Sequence, residues 1–177
     1  METQAIAQAM QRAVTLLERR PGLGMHDDPP ATARWESGTR VHASHANGTV
    51  IATDMSTEVG GTGDRVSPGW LFRAGVASCA ATMIAMLAAQ RGIALAALEV
   101  RVDSRTDARG FLGVRDADGS PVYAGPQVLE LVVTLAGRGE DAAQLRTLAE
   151  DACRRAPISN AVQHATPMTM RIDVVAA

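Results

Sequence analysis

Two of the few residues able to do chemistry in this chain carry sulfur: Cys79 and Cys153 are the only cysteines among 177 residues. A thiolate is a nucleophile and a reductant, and two thiols can pass through sulfenic acid to a disulfide. A thiol can equally be a small buried filler. Cys79 lies midway along residues 67–92, where positions 74–89 are almost all Ala, Val, Ile, Leu or Met, with Ser78 and Thr82 as polar breaks. Burial there raises a thiol pKa, and Cys79 is too far from the segment's start to gain from a helix dipole. A reactive Cys79 therefore needs a cation delivered from elsewhere in the fold.

Other candidate chemistries are thinner. His42 and His45 are three apart on a strand pattern, so they point to opposite faces and do not share one metal ion. His26 and His164 stand elsewhere, no carboxylates cluster with them, and no metal is expected. Gly60-Gly61-Thr62-Gly63-Asp64 lacks the Gly-Lys-Ser/Thr ending of a phosphate loop and the spacing of a dinucleotide turn. It reads as a flexible approach that can bring backbone N–H groups near Cys79. A Cys–His hydrolase would need a nucleophile turn, and none is recognisable.

The elements that must hold these residues follow from periodicity. Ser67 is an N-cap and Pro68 a first-turn residue for a central helix, and Gly92 supplies its stop. An apolar helix of this kind is expected to be buried on every side. It is shorter and richer in Ala than a membrane span and begins beside Arg73, so no membrane is expected. Ile6, Met10, Ala13, Val14 and Leu17 stripe an amphipathic helix over residues 3–19, and residues 21–30 read as a linker. Strands are expected at 31–36, 40–46 and 49–54, with Asn47-Gly48 as a type I′ turn. Further strands are expected around 98–103 and over 128–136, a second helix over 140–155 broken by Pro157, and a closing strand in which Met168, Met170, Ile172 and Val174 alternate. Two groups of strands, each followed by a helix, make the class α+β with largely antiparallel sheet. The chain divides into an N-terminal helix and linker, 1–30, and one domain, 31–177.

Composition narrows the function. A net charge of -2 with mixed signs gives no footprint for nucleic acid, and 3% aromatics leaves no base-stacking platform. Two cysteines far apart make no secreted disulfide framework, and the opening residues show no signal peptide, so a reducing cytoplasm is expected.

From Ala31 onward the chain resembles the OsmC/Ohr family of bacterial peroxide-defence proteins. The resemblance rests on Asp54 followed by Gly60-Gly61, Ser67-Pro68 with Leu71 and Cys79, Gly92-Ile93 with Leu98-Glu99-Val100, Asp107 and Gly110. The stretch Pro157-Ile158-Ser159-Asn160-Ala161-Val162 resembles the region of the family's Cys-Pro-Val motif. It implies an intertwined homodimer with two long central helices between β-sheets, sites at the subunit interface, and reduction of organic hydroperoxides without metal or flavin. Cys79 then stands at the attacking thiol's place. Arg40 is the candidate for the activating arginine, with Arg34 and Arg73 as alternatives. An external dithiol would reopen the disulfide that a second cysteine closes.

Two positions depart from the family pattern: Gly69 stands where a supporting glutamate is expected, and Ala156 where the second cysteine is expected. Cys153 lies three residues earlier, a displacement of ~4.5 Å and ~300° along a helix. Disulfides tolerate Cα separations of about 4.4–6.8 Å, so Cys153 reads either as a displaced resolving thiol or as filler. Without the glutamate, the arginine should be less fixed and the Cys79 pKa less depressed. Two functions are therefore carried forward: a thiol-dependent peroxidase centred on Cys79, and a non-catalytic dimer that binds a small apolar ligand at its interface.

Overall fold

The computed structural model describes residues 2–176. Helix α1 (Glu2–Arg19) is followed by a single 3-10 turn (Pro21–Gly24) and an extended stretch. Strands β1 (Thr32–Ser37), β2 (Arg40–Ser44) and β3 (Val50–Thr53) form one antiparallel sheet in that order. Helix α2 (Pro68–Gln90) leads to β4 (Leu95–Thr106), a short helix α3 (Ala108–Phe111) and β5 (Pro126–Gly137), and β4 pairs with β5 antiparallel. Helices α4 (Ala142–Arg155) and α5 (Pro157–Gln163) complete the regular structure. The class is α+β.

Local chemistry accounts for the main boundaries. Ser67 caps α2 by accepting the Trp70 N–H at 3.2 Å, with Pro68 in the first turn. Gly92 adopts a φ of 69°, and Ile93 N–H closes onto Ala88 O. Asp141 and Gln144 form a reciprocal capping box at the start of α4.

The core lies between α2, α4 and the β4–β5 ribbon. Ile84, Leu87 and Ala88 of α2 meet Leu148, Ala149 and Ala152 of α4, and Leu95, Leu98, Val100, Val133 and Leu135 close the cluster from the ribbon. The alternation of Leu98, Val100 and Val102 turns those side chains inward and leaves Glu99, Arg101 and Asp103 exposed.

Three expectations are corrected. The Asn47-Gly48 connection is not type I′, which needs positive φ at both central residues. Here only Gly48 is left-handed, and the turn closes through Gly48 N–H to His45 O and His45 N–H to Thr49 O. Pro157 breaks the second helix as expected, with α4 ending at Arg155, and it also opens the short helix α5, because a first-turn proline needs no donor. Met168 to Val174 forms no strand: the segment is irregular and its apolar side chains are exposed, Met168 and Val174 at 92% each. Within one chain no sheet edge reaches it. Finally, α2 is not buried all round, since Phe72, Ser78, Thr82 and Ala85 are exposed and the closed stripe is Val76, Ala80, Ile84 and Leu87.

The β1–β3 sheet is similarly uncovered. It makes no substantial contact with any other helix or strand among the described residues, and Trp35 is 72% exposed on β1. Helix α1 does pack on α2, yet Ile6, Val14 and Leu17 of its apolar stripe stay exposed. Helix α2 is long and apolar enough to cross a membrane by composition, with a mean hydropathy of 1.7, and it packs against α1, α4, α5 and β4.

Leu148 is fully buried at the α2–α4 contact. Leu148→Ala is expected to lower unfolding free energy by about 2–5 kcal/mol, read from the midpoint of urea denaturation.

Candidate active site

Successive residues of α2 turn by about 100°, so Gly75, Cys79, Met83 and Met86 share one face beside the buried stripe. Cys79 is half-buried there. Helix α5 packs over Gly75, where even a Cβ would make only an ordinary contact with Ile158 Cδ1 at 3.9 Å. The α4–α5 junction thus approaches the face of α2 one turn from the thiol. Asn160 Nδ2 holds the junction by donating to Arg154 O at 2.8 Å and Ala156 O at 3.0 Å. Ala156 itself is fully buried.

Cys153 has a different setting. It lines an open groove of about 440 Å³ between α4 and β5, where Leu131, Val133, Leu135, Leu145 and Ala149 form an apolar wall and Arg146 and Glu150 add a basic and an acidic side chain. Burial among these hydrocarbons pushes its thiol pKa up. Both cysteines are free thiols.

The most connected polar group is one that entered the sequence analysis only as part of the family resemblance, with no role of its own. Asp54, at the end of β3, is 2% exposed. Its Oδ1 accepts from the Thr39 hydroxyl and from Met55 N–H at 2.8 Å. Its Oδ2 receives Thr62 N–H at 3.2 Å, lies 2.7 Å from the Thr62 hydroxyl, and receives Arg40 Nη2 at 3.2 Å. The hydroxyls of Thr39 and Thr62, then the two backbone donors, hold the Asp54 carboxyl well below the usual carboxylate range. Arg40 Nη2 also donates to Thr62 Oγ1 at 2.8 Å and to Asp64 Oδ1.

The Gly-rich loop exists in this shape to make those contacts. Gly61 N–H and Gly63 N–H bind Ser56 O and Met55 O, folding the loop back on itself. A Cβ at Gly61 would stand 1.9 Å from Met55 O, so only glycine fits. The fold-back sets Thr62 and Asp64 side by side against Arg40 Nη2. A buried aspartate at a strand end, followed by a glycine run carrying Thr and Asp, was the available signal.

Of the three candidate arginines, Arg40 belongs to this cluster, Arg73 Nη1 donates to Ser104 Oγ on β4 at 3.1 Å, and Arg34 sits on β1 opposite His42. Among the described residues none hydrogen-bonds Cys79 in its own chain. A Cβ at position 69 would lie 3.8 Å from Arg73 Nη1. His42 pairs with Glu36 at 3.0 Å, His45 Nδ1 accepts Asn47 N–H in the turn, and no group of three metal-ligating side chains occurs among the described residues.

A half-buried thiol on a central helix, beneath a helix junction and beside a two-stranded ribbon, defines an α+β protein of the OsmC type. The family model for OsmC-like proteins matches residues 61–171, and the chain belongs to that family. Solved structures agree in fold. The OsmC-like protein of Mycoplasma pneumoniae superposes with a TM-score of 0.66 at 17% identity, covering 80% of this chain and 92% of that one. The organic hydroperoxide resistance protein of Elizabethkingia anophelis gives 0.60 at 21%, covering 79% and 91%. An organic hydroperoxide resistance protein OsmC from Legionella pneumophila gives 0.55 at 22%, covering 78% and 93%. No curated protein sequence matches the chain.

Because the folded-state pKa of Asp54 is depressed, its contribution to stability is complete above the unfolded value of about 3.9 and is lost as pH falls through and below it. Asp54→Asn is expected to flatten the acid limb of thermal stability against pH. At pH 7 it should lower the melting temperature more than Asp64→Asn, since Asp64 is half-exposed.

Proposed function

We propose that this protein is a thiol-dependent peroxidase acting on organic hydroperoxides, with Cys79 as the attacking residue. The observation that carries the reading is the place of Cys79, half-buried on α2 next to the α5 contact, within the segment that matches the OsmC family. In this mechanism the Cys79 thiolate attacks the terminal peroxide oxygen and the O–O bond breaks. The alkoxide takes up a proton and leaves as alcohol, and sulfur is left as sulfenic acid. Two equivalents of external thiol, or one dithiol, return it to the thiol, releasing water and a disulfide.

The working form is a homodimer. The β1–β3 sheet covers nothing in its own chain, α2 exposes Phe72, Thr82 and Ala85, and the 168–174 segment presents alternating apolar residues without a partner. A second copy that takes up these surfaces intertwines with the first, and it brings the β2 arginine, Arg40, to the Cys79 of its neighbour. Cytoplasmic residence suits a pair of unlinked thiols.

Cys153 is filler rather than a resolving thiol in this reading. Burial raises its thiol pKa, which disfavours the thiolate that resolution uses. The groove beside it favours a second function, binding of a small apolar ligand without turnover. Stoichiometric sulfenic acid formation at Cys79 with micromolar hydroperoxide would exclude that alternative.

The deciding measurement is consumption of cumene hydroperoxide with dithiothreitol. Cys79→Ser should abolish it, and Cys153→Ser should leave it within about twofold; an unchanged rate in Cys79→Ser overturns the proposal. Sedimentation equilibrium should give twice the chain mass, and a monomer at micromolar concentration would remove the shared site.

A further inference from the structure

Arg40 has five N–H donors in a planar fork. All three of its hydrogen bonds leave from one nitrogen, Nη2, toward Asp54, Thr62 and Asp64. Nε and Nη1, which carry the other three hydrogens, have no hydrogen-bond partner among the described residues. The side chain is 24% exposed and is held by one corner, with three N–H hydrogens free for a further acceptor. An arginine that served only to neutralise Asp54 would engage the carboxylate with both arms, as bidentate pairs do. Arg40 meets Asp54 through one.

The three acceptors differ in kind. Asp54 is buried at the end of β3 and fixed by four other donor contacts. Thr62 and Asp64 stand on the loop that Gly61 folds back, and Thr62 Oγ1 lies 2.6 Å from Asp64 Oδ1. Asp54 thus fixes where the guanidinium sits, while Thr62 and Asp64 fix its rotation about the Cζ–Nη2 corner. The glutamate expected at the start of α2 is replaced by Gly69, which leaves no acid there to do this.

We infer that Asp64, with Thr62, is the positioning residue for Arg40, orienting its unpaired Nε and Nη1 donors toward the reacting sulfur and peroxide. This rests on the proposal that Arg40 serves Cys79 across the dimer. Charge and orientation act in opposite directions. The Asp64 carboxylate disfavours a nearby thiolate, so deleting its charge alone speeds the reaction below the thiol pKa. Loss of orientation slows it at every pH, and a misplacement of about 1 Å can reduce rates by about a hundredfold.

The test is a double-mutant cycle on the intact dimer. The second-order rate of Cys79 oxidation by cumene hydroperoxide is measured on the alkaline plateau for wild type, Asp64→Asn, Arg40→Met and the double variant. The expected result is a fall of about tenfold or more for Asp64→Asn, a larger fall for Arg40→Met, and no further loss when both are changed. Asp64→Glu should recover part of the rate. A wild-type plateau rate in Asp64→Asn, with Arg40→Met slow, overturns the inference and leaves the arginine's role standing. So does an equal loss from Asp64→Asn in the Arg40→Met background. An unchanged rate in Arg40→Met, with Cys79→Ser inactive, removes Arg40 from the site and the inference with it. Activity in Cys79→Ser instead removes the peroxidase reading itself. Should Asp64→Asn disturb the dimer, Thr62→Val carries the same cycle, with a several-fold loss that disappears in the Arg40→Met background.

Discussion

The structure depends on the burial of one negative charge. Asp54 ends β3 almost out of contact with water, and a carboxylate so placed is tolerable only with its lone pairs filled. Filling them draws in a hydroxyl from the turn between β1 and β2, an arginine from β2, and both a hydroxyl and a backbone donor from the Gly-rich loop. The start of β2 and the Gly-rich loop, about twenty residues apart in sequence, are thereby fastened to the end of β3. The β1–β3 sheet makes no substantial contact with a helix among the described residues, so this cluster, together with the Thr53–Val66 backbone bridge, sets its angle to the start of α2.

Helix α2 shows the complementary principle. Its sequence is apolar on nearly every face, but a single chain has only enough neighbours for part of the circumference. The inward stripe closes on α4 and the ribbon, the Gly75 face takes α5, and the β4 side holds Arg73 against Ser104. Ser78, Thr82 and Ala85 are left outside. These small residues do not repel water strongly, and they permit the close approach of another backbone.

Sequence patterns conveyed most of the architecture because they report on local forces. The Ser67-Pro68 start of α2, the Gly92 stop and the alternation of Leu98, Val100 and Val102 all record interactions within a few residues, and each appears where expected. The failures share a cause. The alternating run from Met168 to Val174 has strand periodicity, but a strand also needs an edge, and periodicity is silent about edges. The total burial of α2 likewise followed from composition, which counts apolar residues without counting their neighbours. At the site, the place of Cys79 midway along α2 was legible from the sequence, while the role proposed for it comes from the family resemblance and not from the hydrocarbon run around it. The Asp54–Thr62–Asp64 arrangement was not legible, since Asp and Thr between glycines read as ordinary turn chemistry. Its meaning comes from a contact with β2 more than twenty residues away.

Gly61 ties these observations together. With Met55 O less than two ångströms from where a side chain would begin, the backbone passes itself at its narrowest point with no room for one further carbon. Any substitution there reroutes the segment and withdraws Thr62 and Asp64 together, without altering a single acidic, basic or sulfur-bearing group. A single methyl group in this loop would therefore mimic the loss of several polar contacts at once.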